Sequence, residues 1–259
     1  MPESPLVSCM CVTENRAAFI PWLVWNFEKQ SWHNKELIIV DSSASPDELS
    51  SITSDMLGPN ICVVPVRPGL NIPAKRNIAL QQARGEYIAW FDDDDWQHPE
   101  RLGLTLDALG ASKRAWGGTR DFWFADLVGE MVTRANGARP SFNSAVFRRD
   151  VALSGKFDER FARGSDTLYL REICKRAPMW ATVNTVTSFW LCHDTNISNP
   201  SAKRRFALPM DGLRTAVGST AWGSTDEQLT ALRDRMSARG NTQLGTDRDA
   251  AVVVLDQNR

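Results

Sequence analysis

Apolar residues in the first part of the chain come in short unbroken runs, each followed by a polar turn and then by a segment with helical spacing. Leu6 to Val12 reads as a strand closed by the polar turn Thr13-Glu14-Asn15-Arg16. Ala17 to Gln30 carries Phe19, Trp22, Leu23, Trp25 and Phe27 as a helix would, with Pro21 early, where a missing N–H is tolerated. Glu36 to Val40 (ELIIV) runs without alternation, as a strand covered on both faces does. The same logic predicts strands over Ile61–Val66 and Glu86–Phe91, and helices over Asp47–Leu57, Ile72–Arg84 and Pro99–Leu109. Strands separated by helices in this order imply βαβ units, hence an α/β fold with a mostly parallel central sheet flanked by helices.

From Ala115 the pattern changes. Trp116–Thr119, Leu127–Arg134 and Asn143–Arg149 read as shorter strands, Thr167–Lys175 as a helix, and Ala181–Trp190 as strand-like. Thr225–Ala238 is a clear helix, and the polar tail beyond it is expected to fray. The expected organisation is a first half over 1–112, a second half of the same domain over 113–200, and a helical extension with a polar tail over 201–259.

Composition narrows the class. With 259 residues, 42% hydrophobic and 24% charged, the chain can bury a full core and reads as an ordinary soluble protein. A net charge of −1 argues against nucleic acid as a partner held through bulk electrostatics and leaves only a local basic groove open. No apolar run approaches the roughly 20 residues that span a bilayer, and Met1-Pro2-Glu3-Ser4-Pro5 lacks the basic and apolar regions of a signal peptide. Five cysteines without CxxC spacing predict buried free thiols and a reducing, cytoplasmic location.

The richest chemistry lies in Asp92-Asp93-Asp94-Asp95, which follows the apolar run Tyr87-Ile88-Ala89-Trp90-Phe91 and precedes Trp96-Gln97-His98-Pro99. Adjacent carboxylates repel, and each is costly at the end of a buried strand. A divalent cation removes the conflict; Mg²⁺ takes one or two protein carboxylates and completes its shell with water and substrate phosphates. A metal-diphosphate site at a strand's carboxyl end, where open α/β sheets bind ligands, is one reading. The other is an acidic turn in which Asp95 caps the helix starting near Pro99.

Five blocks, in order, resemble the family-2-type inverting glycosyltransferases of GT-A fold. They are Val7 to Arg16; Glu36 to Ser43; Ala74-Lys75-Arg76-Asn77-Ile78-Ala79 with Ala83 to Ile88; the aspartate run with Pro99; and Gly155 to Phe161 with Gly164-Ser165-Asp166. The resemblance spans roughly residues 6 to 195. It implies a GT-A fold whose second half binds the acceptor, a nucleotide-diphospho-sugar donor (a UDP-sugar by family habit), and Mn²⁺ or Mg²⁺. Alignment on Pro99 implies Asp94 as metal ligand, with His193 as a further ligand. It implies Asp92 and Asp93 for the ribose hydroxyls and metal-bound water, Asp95 as a cap or supporting group, and Arg76 for the diphosphate. Thr13, Glu14, Arg16, Asp41 and Ser42 fall in the donor-binding blocks, and Asp166 falls where the family has its general base. Asp41 also suits a turn, Asp166 a helix N-cap, and Asn77 a partner for local backbone groups. His33 and His98 read as structural.

Two departures concern the base. Ser42 stands where relatives have a second aspartate, and Glu14 where they often place a stacking aromatic. They leave open a second class of function, a GT-A-like nucleotide- or glycan-binding protein without turnover. A sugar-1-phosphate nucleotidyltransferase is disfavoured, because Thr13-Glu14-Asn15-Arg16 has no glycine-rich loop. Of the ten tryptophans, Trp96 and Trp123 are the best candidates to stack on a sugar. The acceptor itself is not legible. Arg120, Arg134, Arg139, Arg148, Arg149, Arg160 and Arg163 populate the region expected to bind it.

Overall fold

The computed structural model describes residues 4–44, 58–126, 131–193 and 208–238. The helix expected over Asp47–Leu57, the polar tail and the loop after His193 lie outside these residues. The first half alternates as the apolar runs imply. It contains β1 (Val7–Thr13), α1 (Ile20–Glu28), β2 (Lys35–Asp41), β3 (Ile61–Pro65), α2 (Ile72–Gln82) and β4 (Tyr87–Trp90). After these come β5 (Trp96–Gln97), α3 (Arg101–Ser112), β6 (Trp116–Thr119), β7 (Asp121–Asp126) and β8 (Met131–Asn136). The remainder is β9 (Val146–Arg148), α4 (Arg149–Ser154), α5 (Ser165–Arg176), β10 (Ala181–Val183), β11 (Ser188–Cys192), β12 (Leu208–Pro209), α6 (Met210–Val217), α7 (Ser219–Trp222) and α8 (Thr225–Ala238).

Among the described residues seven strands form one sheet in the order β10-β6-β9-β4-β1-β2-β3. It is parallel except where β9 runs against both β4 and β6. Alternation along each strand supplies two cores. Cys9, Cys11, Leu37, Ile39 and Ala89 face α1 and α3, joining Leu23, Phe27, Leu102 and Leu106. Met10, Ile38, Val40, Ile88 and Trp90 face the other way, joining Leu80 of α2 and Tyr169 and Ile173 of α5. Both faces are covered, which is why the runs are unbroken in sequence. A second sheet, β12-β8-β7-β11-β5, packs with the other side of α1 and with α6, α7 and α8 around Trp22, Trp96, Phe189 and Trp222.

Several expectations shift. Ala17–Phe19 is a 3₁₀ turn and only Ile20–Glu28 is α-helical, because Pro21 has no N–H to return to the carbonyl of Ala17. The strand expected over Asn143–Arg149 is confined to Val146–Arg148, since Phe142–Ser144 turn as a 3₁₀ segment capped by the Ser141 side chain. The strand expected over Leu127–Arg134 coincides over residues 131–134 with β8, which pairs antiparallel with β7; residues 127–130 are outside those described. All five cysteines are free; Cys9, Cys11 and Cys192 are buried, while Cys62 is exposed and Cys174 half-buried, against the expectation of buried thiols throughout. Among the described residues no helix is long and apolar enough to cross a membrane.

Candidate active site

β1, β2 and β4 are parallel neighbours, so their carboxyl ends open on one edge of the sheet. Thr13 and Asp41 end two of them in register, and Phe91-Asp92-Asp93-Asp94-Asp95 leaves the third. The four carboxylates are held by different partners. Asp93 accepts a hydrogen bond from the Thr13 hydroxyl at 2.6 Å and pairs with Arg16 Nη1 at 3.0 Å. Asp94 Oδ2 accepts from Arg16 Nη2 at 2.6 Å and lies 3.2 Å from His193 Nε2. Asp92 and Asp95 both accept from Asn143 Nδ2, and Asp92 faces Arg76 Nη2 at 3.7 Å.

Burial and mutual repulsion act on these carboxylates unequally. Burial raises Asp93 to about 6, a rise that Arg16 tempers and Asp94 reinforces. Burial also raises Asp94, but Arg16 and His193 outweigh it and hold that carboxyl well below the usual range. Asp95, buried and beside Asp94 and Asp92, is pushed well above it. Asp94 is therefore the member of the run most firmly held as an anion.

Asn71 caps α2 by accepting the Ala74 N–H, and the first turns of that helix bury Lys75, Arg76 and Asn77 towards the site. Arg76 lies with its guanidinium carbon 4.7 Å from the Phe142 ring centre, and Nη1 donates to Ser165 Oγ at 3.4 Å. Asp166 follows Ser165 in the first turn of α5, where its Oδ1 accepts the Thr167 N–H at 2.8 Å; burial is what chiefly raises Asp92, with Asp94 and Asp166 adding to the rise. Arg76 thus links the aspartate run to the start of α5, where Asp166 lies. Asn77 satisfies backbone groups as expected, although distant ones. It brackets Phe157 through N–H and C=O at 2.9 and 3.0 Å and so anchors the segment leading to Asp166.

At the ends of β1 and β2, Lys75 is buried and donates to the Thr13 carbonyl at 3.0 Å, Ser42 Oγ at 2.9 Å and Glu14 Oε2 at 3.2 Å. Ser42 is fully enclosed and braces that ammonium, so it presents no edge to solvent. Glu14 is half-exposed and also accepts the Gly69 N–H at 3.2 Å. Asp41 takes its turn-forming role, with Oδ1 accepting both the backbone N–H and the hydroxyl of Ser43 at 2.8 and 2.6 Å.

Other expectations are corrected. Asp95 caps no helix: α3 starts at Arg101, with Glu100 at its N-cap, and Asp95 is drawn inward by Asn143. Asp166 is not an N-cap either, because Gly164 takes that position with φ 71°. Trp96 is wholly buried, stacked 4.9 Å from Phe189, and donates to Thr225 Oγ1 at 3.2 Å; Trp123 is buried in the same core. Neither offers a face to a sugar. Many arginines of the second half have intramolecular partners: Arg120 the Gly137 carbonyl, Arg134 Asp121, Arg148 Asp150 and Arg160 Asp158. His98 is structural, accepting the Glu100 N–H at 3.0 Å.

Lys75, Asn143 and Arg101 were not singled out by sequence. Arg101 is fully buried beneath the run, donating to the Trp90 and Ala145 carbonyls and to Gln97. Three polar residues in succession at the start of α2 were the available signal for Lys75. For Asn143, whose partners lie 48 and 51 residues away, there was none.

Among the described residues no set of three or more His, Cys, Asp or Glu side chains is arranged to hold a metal ion. Asp94 and His193 do place two donor atoms side by side, and this fits a cation that draws its remaining ligands from water and substrate phosphates.

Residues 8–177 match the family model Glycosyl transferase family 2. WcaA of Escherichia coli (strain K12), provisionally assigned as a colanic acid biosynthesis glycosyl transferase, is 34% identical over 107 residues, 41% of this chain and 38% of that protein. The chain spans well under half the length of the curated relatives it matches. Staphylococcus aureus TarS 1-349 in complex with UDP-GlcNAc superposes with a TM-score of 0.57 at 17% identity, covering 73% of this chain and 59% of that one. The mannosyltransferase PcManGT of Pyrobaculum calidifontis, in complex with GDP-Man and Mn²⁺, superposes with a TM-score of 0.58 at 15% identity, covering 93% and 76%. These two likenesses establish the GT-A fold.

Proposed function

The chain belongs to glycosyl transferase family 2, and from that premise we propose that it moves a sugar from a nucleoside-diphosphate donor to an acceptor hydroxyl with inversion at the anomeric carbon. The observation that carries this reading is the convergence of Asp93, Asp94, Arg16, His193 and Arg76 at the strand ends, with Asp166 beside them at the start of α5. The structural neighbours' complexes with UDP-GlcNAc and with GDP-Man and Mn²⁺ support a nucleotide-sugar donor and a divalent cation.

Each residue has a task. Arg76 stabilises the negative charge that develops on the diphosphate as the bond from the anomeric carbon to the phosphate oxygen breaks and its electron pair leaves with that oxygen. Asp94 and His193 would hold Mn²⁺ or Mg²⁺, which supplies Lewis-acid stabilisation of the same oxygens. Asp166 takes the proton from the acceptor hydroxyl as that oxygen attacks the opposite face of the sugar. Glu14, the half-exposed carboxylate of the base side, accepts from base N–H groups, whereas Ser42 works only through Lys75.

The test is Asp166→Asn. It keeps shape and leaves the donor-side contacts in place. Calorimetry with UDP and GDP in the presence of Mn²⁺ should give wild-type affinity, while release of nucleoside diphosphate from UDP- and GDP-sugars should fall by about 10²- to 10⁴-fold. A variant that keeps more than half the wild-type rate removes the base role, and failure of the wild type to bind either nucleotide removes the donor reading.

A further inference from the structure

Arg16 is oddly placed for a residue whose only task is to meet a donor phosphate. Its guanidinium lies inside the acidic run. Nη1 is 3.0 Å from Asp93 Oδ1 and Nη2 is 2.6 Å from Asp94 Oδ2. The same Nη2 is 3.2 Å from His193 Nε2, and His193 Nε2 is itself 3.2 Å from Asp94 Oδ2. Arg16 Nη2 thus closes a triangle with the two atoms that would ligate a metal. Beneath it, the Phe19 ring centre is 4.3 Å from the guanidinium carbon, and the imidazole of His193 lies 4.9 Å from the same ring.

A divalent cation bound to both Asp94 Oδ2 and His193 Nε2 would need roughly 2.0–2.2 Å to each, and a guanidinium nitrogen already within hydrogen-bond distance of both stands in that space. Two cations a few ångströms apart also repel strongly in so enclosed a setting. Occupancy is therefore alternative.

The location of Arg16 on the chain permits exchange. It belongs to the polar turn after β1, following Asn15 at φ 53°, and leads into the 3₁₀ turn rather than sitting on a strand or helix. Its side chain is 20% exposed, and Nε has no hydrogen-bond partner among the described residues. Arg76, whose Nε likewise lacks a partner among the described residues, projects instead from a capped helix.

We propose that Arg16 is the resident counter-ion of the aspartate run and that a divalent cation loads by displacing it, which makes metal binding dependent on the donor whose diphosphate receives the released guanidinium. The inference rests on the proposed metal role of Asp94 and His193. Arg16 neutralises Asp93 and Asp94 while the site waits, which suppresses tight metal binding without nucleotide. When donor and metal arrive together, the guanidinium moves from carboxylates to phosphate oxygens, a bidentate partner of the same kind.

The test is titration of Mn²⁺ into nucleotide-free protein, followed by electron paramagnetic resonance or calorimetry, for wild type, Arg16→Met, Arg16→Lys and Asp94→Asn. Arg16→Met should bind Mn²⁺ at least about tenfold more tightly than wild type, and its metal-free melting temperature should be lower and recover with Mn²⁺. Arg16→Lys keeps the charge and loses the two-pronged grip, so it should show a smaller gain in the same direction; it decides the matter if the methionine variant does not fold. For wild type, UDP or GDP should tighten Mn²⁺ binding more than for Arg16→Met. Equal Mn²⁺ affinity in wild type and the Arg16 variants, with binding lost in Asp94→Asn, overturns the displacement while the metal site stands. No Mn²⁺ binding by wild type with or without nucleotide overturns the metal site and the displacement with it.

Discussion

Glu36 and Asp94 show how neighbouring groups decide whether a buried carboxylate is an anchor or a liability. Burial pushes Glu36 up, yet the Ser8 hydroxyl at 2.6 Å and the Arg84 backbone and guanidinium outweigh it, so its pKa lies below the ordinary value. A depressed carboxylate pKa contributes stability that is present above the unfolded value and lost as pH falls through the folded one. Glu36→Gln should therefore cost about 2 kcal/mol at pH 7, the scale of hydrogen bonds to a charged group. The gap from wild type should close as the pH drops below about 4.5. Urea melts of both proteins at pH 7 and pH 3.5 check this, and a pH-independent gap would assign the loss to packing. Asp94 differs in purpose, because its stabilising partners, Arg16 and His193, are themselves site groups. At Glu36 the ion pair ties β2 to the turn before β4.

That turn and the sheet's far side depend on close backbone approach. A Cβ on Gly117 of β6 would lie 2.6 Å from the Ala181 carbonyl oxygen of β10, its parallel neighbour. Gly117→Ala must push β10 aside, and overpacking of this kind costs about 1–3 kcal/mol. A chemical melt checks it; stability equal to wild type would mean that β10 is not firmly paired. Elements of the central sheet were legible because strands buried on both faces cannot hide their apolar runs, as Leu37 to Val40 illustrates. Elements of the second sheet were legible only in part, where the strands expected over Leu127–Arg134 and Ala181–Trp190 overlap β8 and β11. β5 is two residues long and owes its existence to pairing with Ser188 and Phe189, some ninety positions later, and no local pattern encodes such a partner. Site residues divide the same way. The aspartate run, Arg76 and Asp166 stand in local motifs, whereas Asn143 joins the candidate site only when the fold carries its amide to Asp92 and Asp95. Trp96 misled for a related reason: a tryptophan next to an acidic run suits a sugar platform, and only tertiary packing reveals that its ring faces inward.

At the scale of the molecule, the helices after residue 208 back the active site. Trp22 Nε1 donates to the Asp95 carbonyl at 3.1 Å, fixing the end of the aspartate run to α1. Trp96, the next residue, is clasped between Phe189 and Trp222, with Thr225 accepting its N–H. Leu213, Leu229, Leu232 and Met236 from α6 and α8 enclose the same cluster. The pedestal of the acidic run is therefore built partly from the last described part of the chain. Trp222 is its central side chain there, stacked 5.8 Å from Phe189 and anchored through Nε1 to Asp226 at 2.9 Å. Trp222→Ala should cost about 3–5 kcal/mol, the range for removing a large buried aromatic. It should also weaken nucleotide binding although no atom of Trp222 lies among the donor-side groups, because β5 and the run before it lose their backing. Guanidinium melts and calorimetry with UDP and GDP plus Mn²⁺ measure the two effects. A loss of stability with nucleotide affinity unchanged would show that the aspartates' own side-chain partners hold them without this backing, and a stability change under about 1 kcal/mol would show that α7 is peripheral to the core.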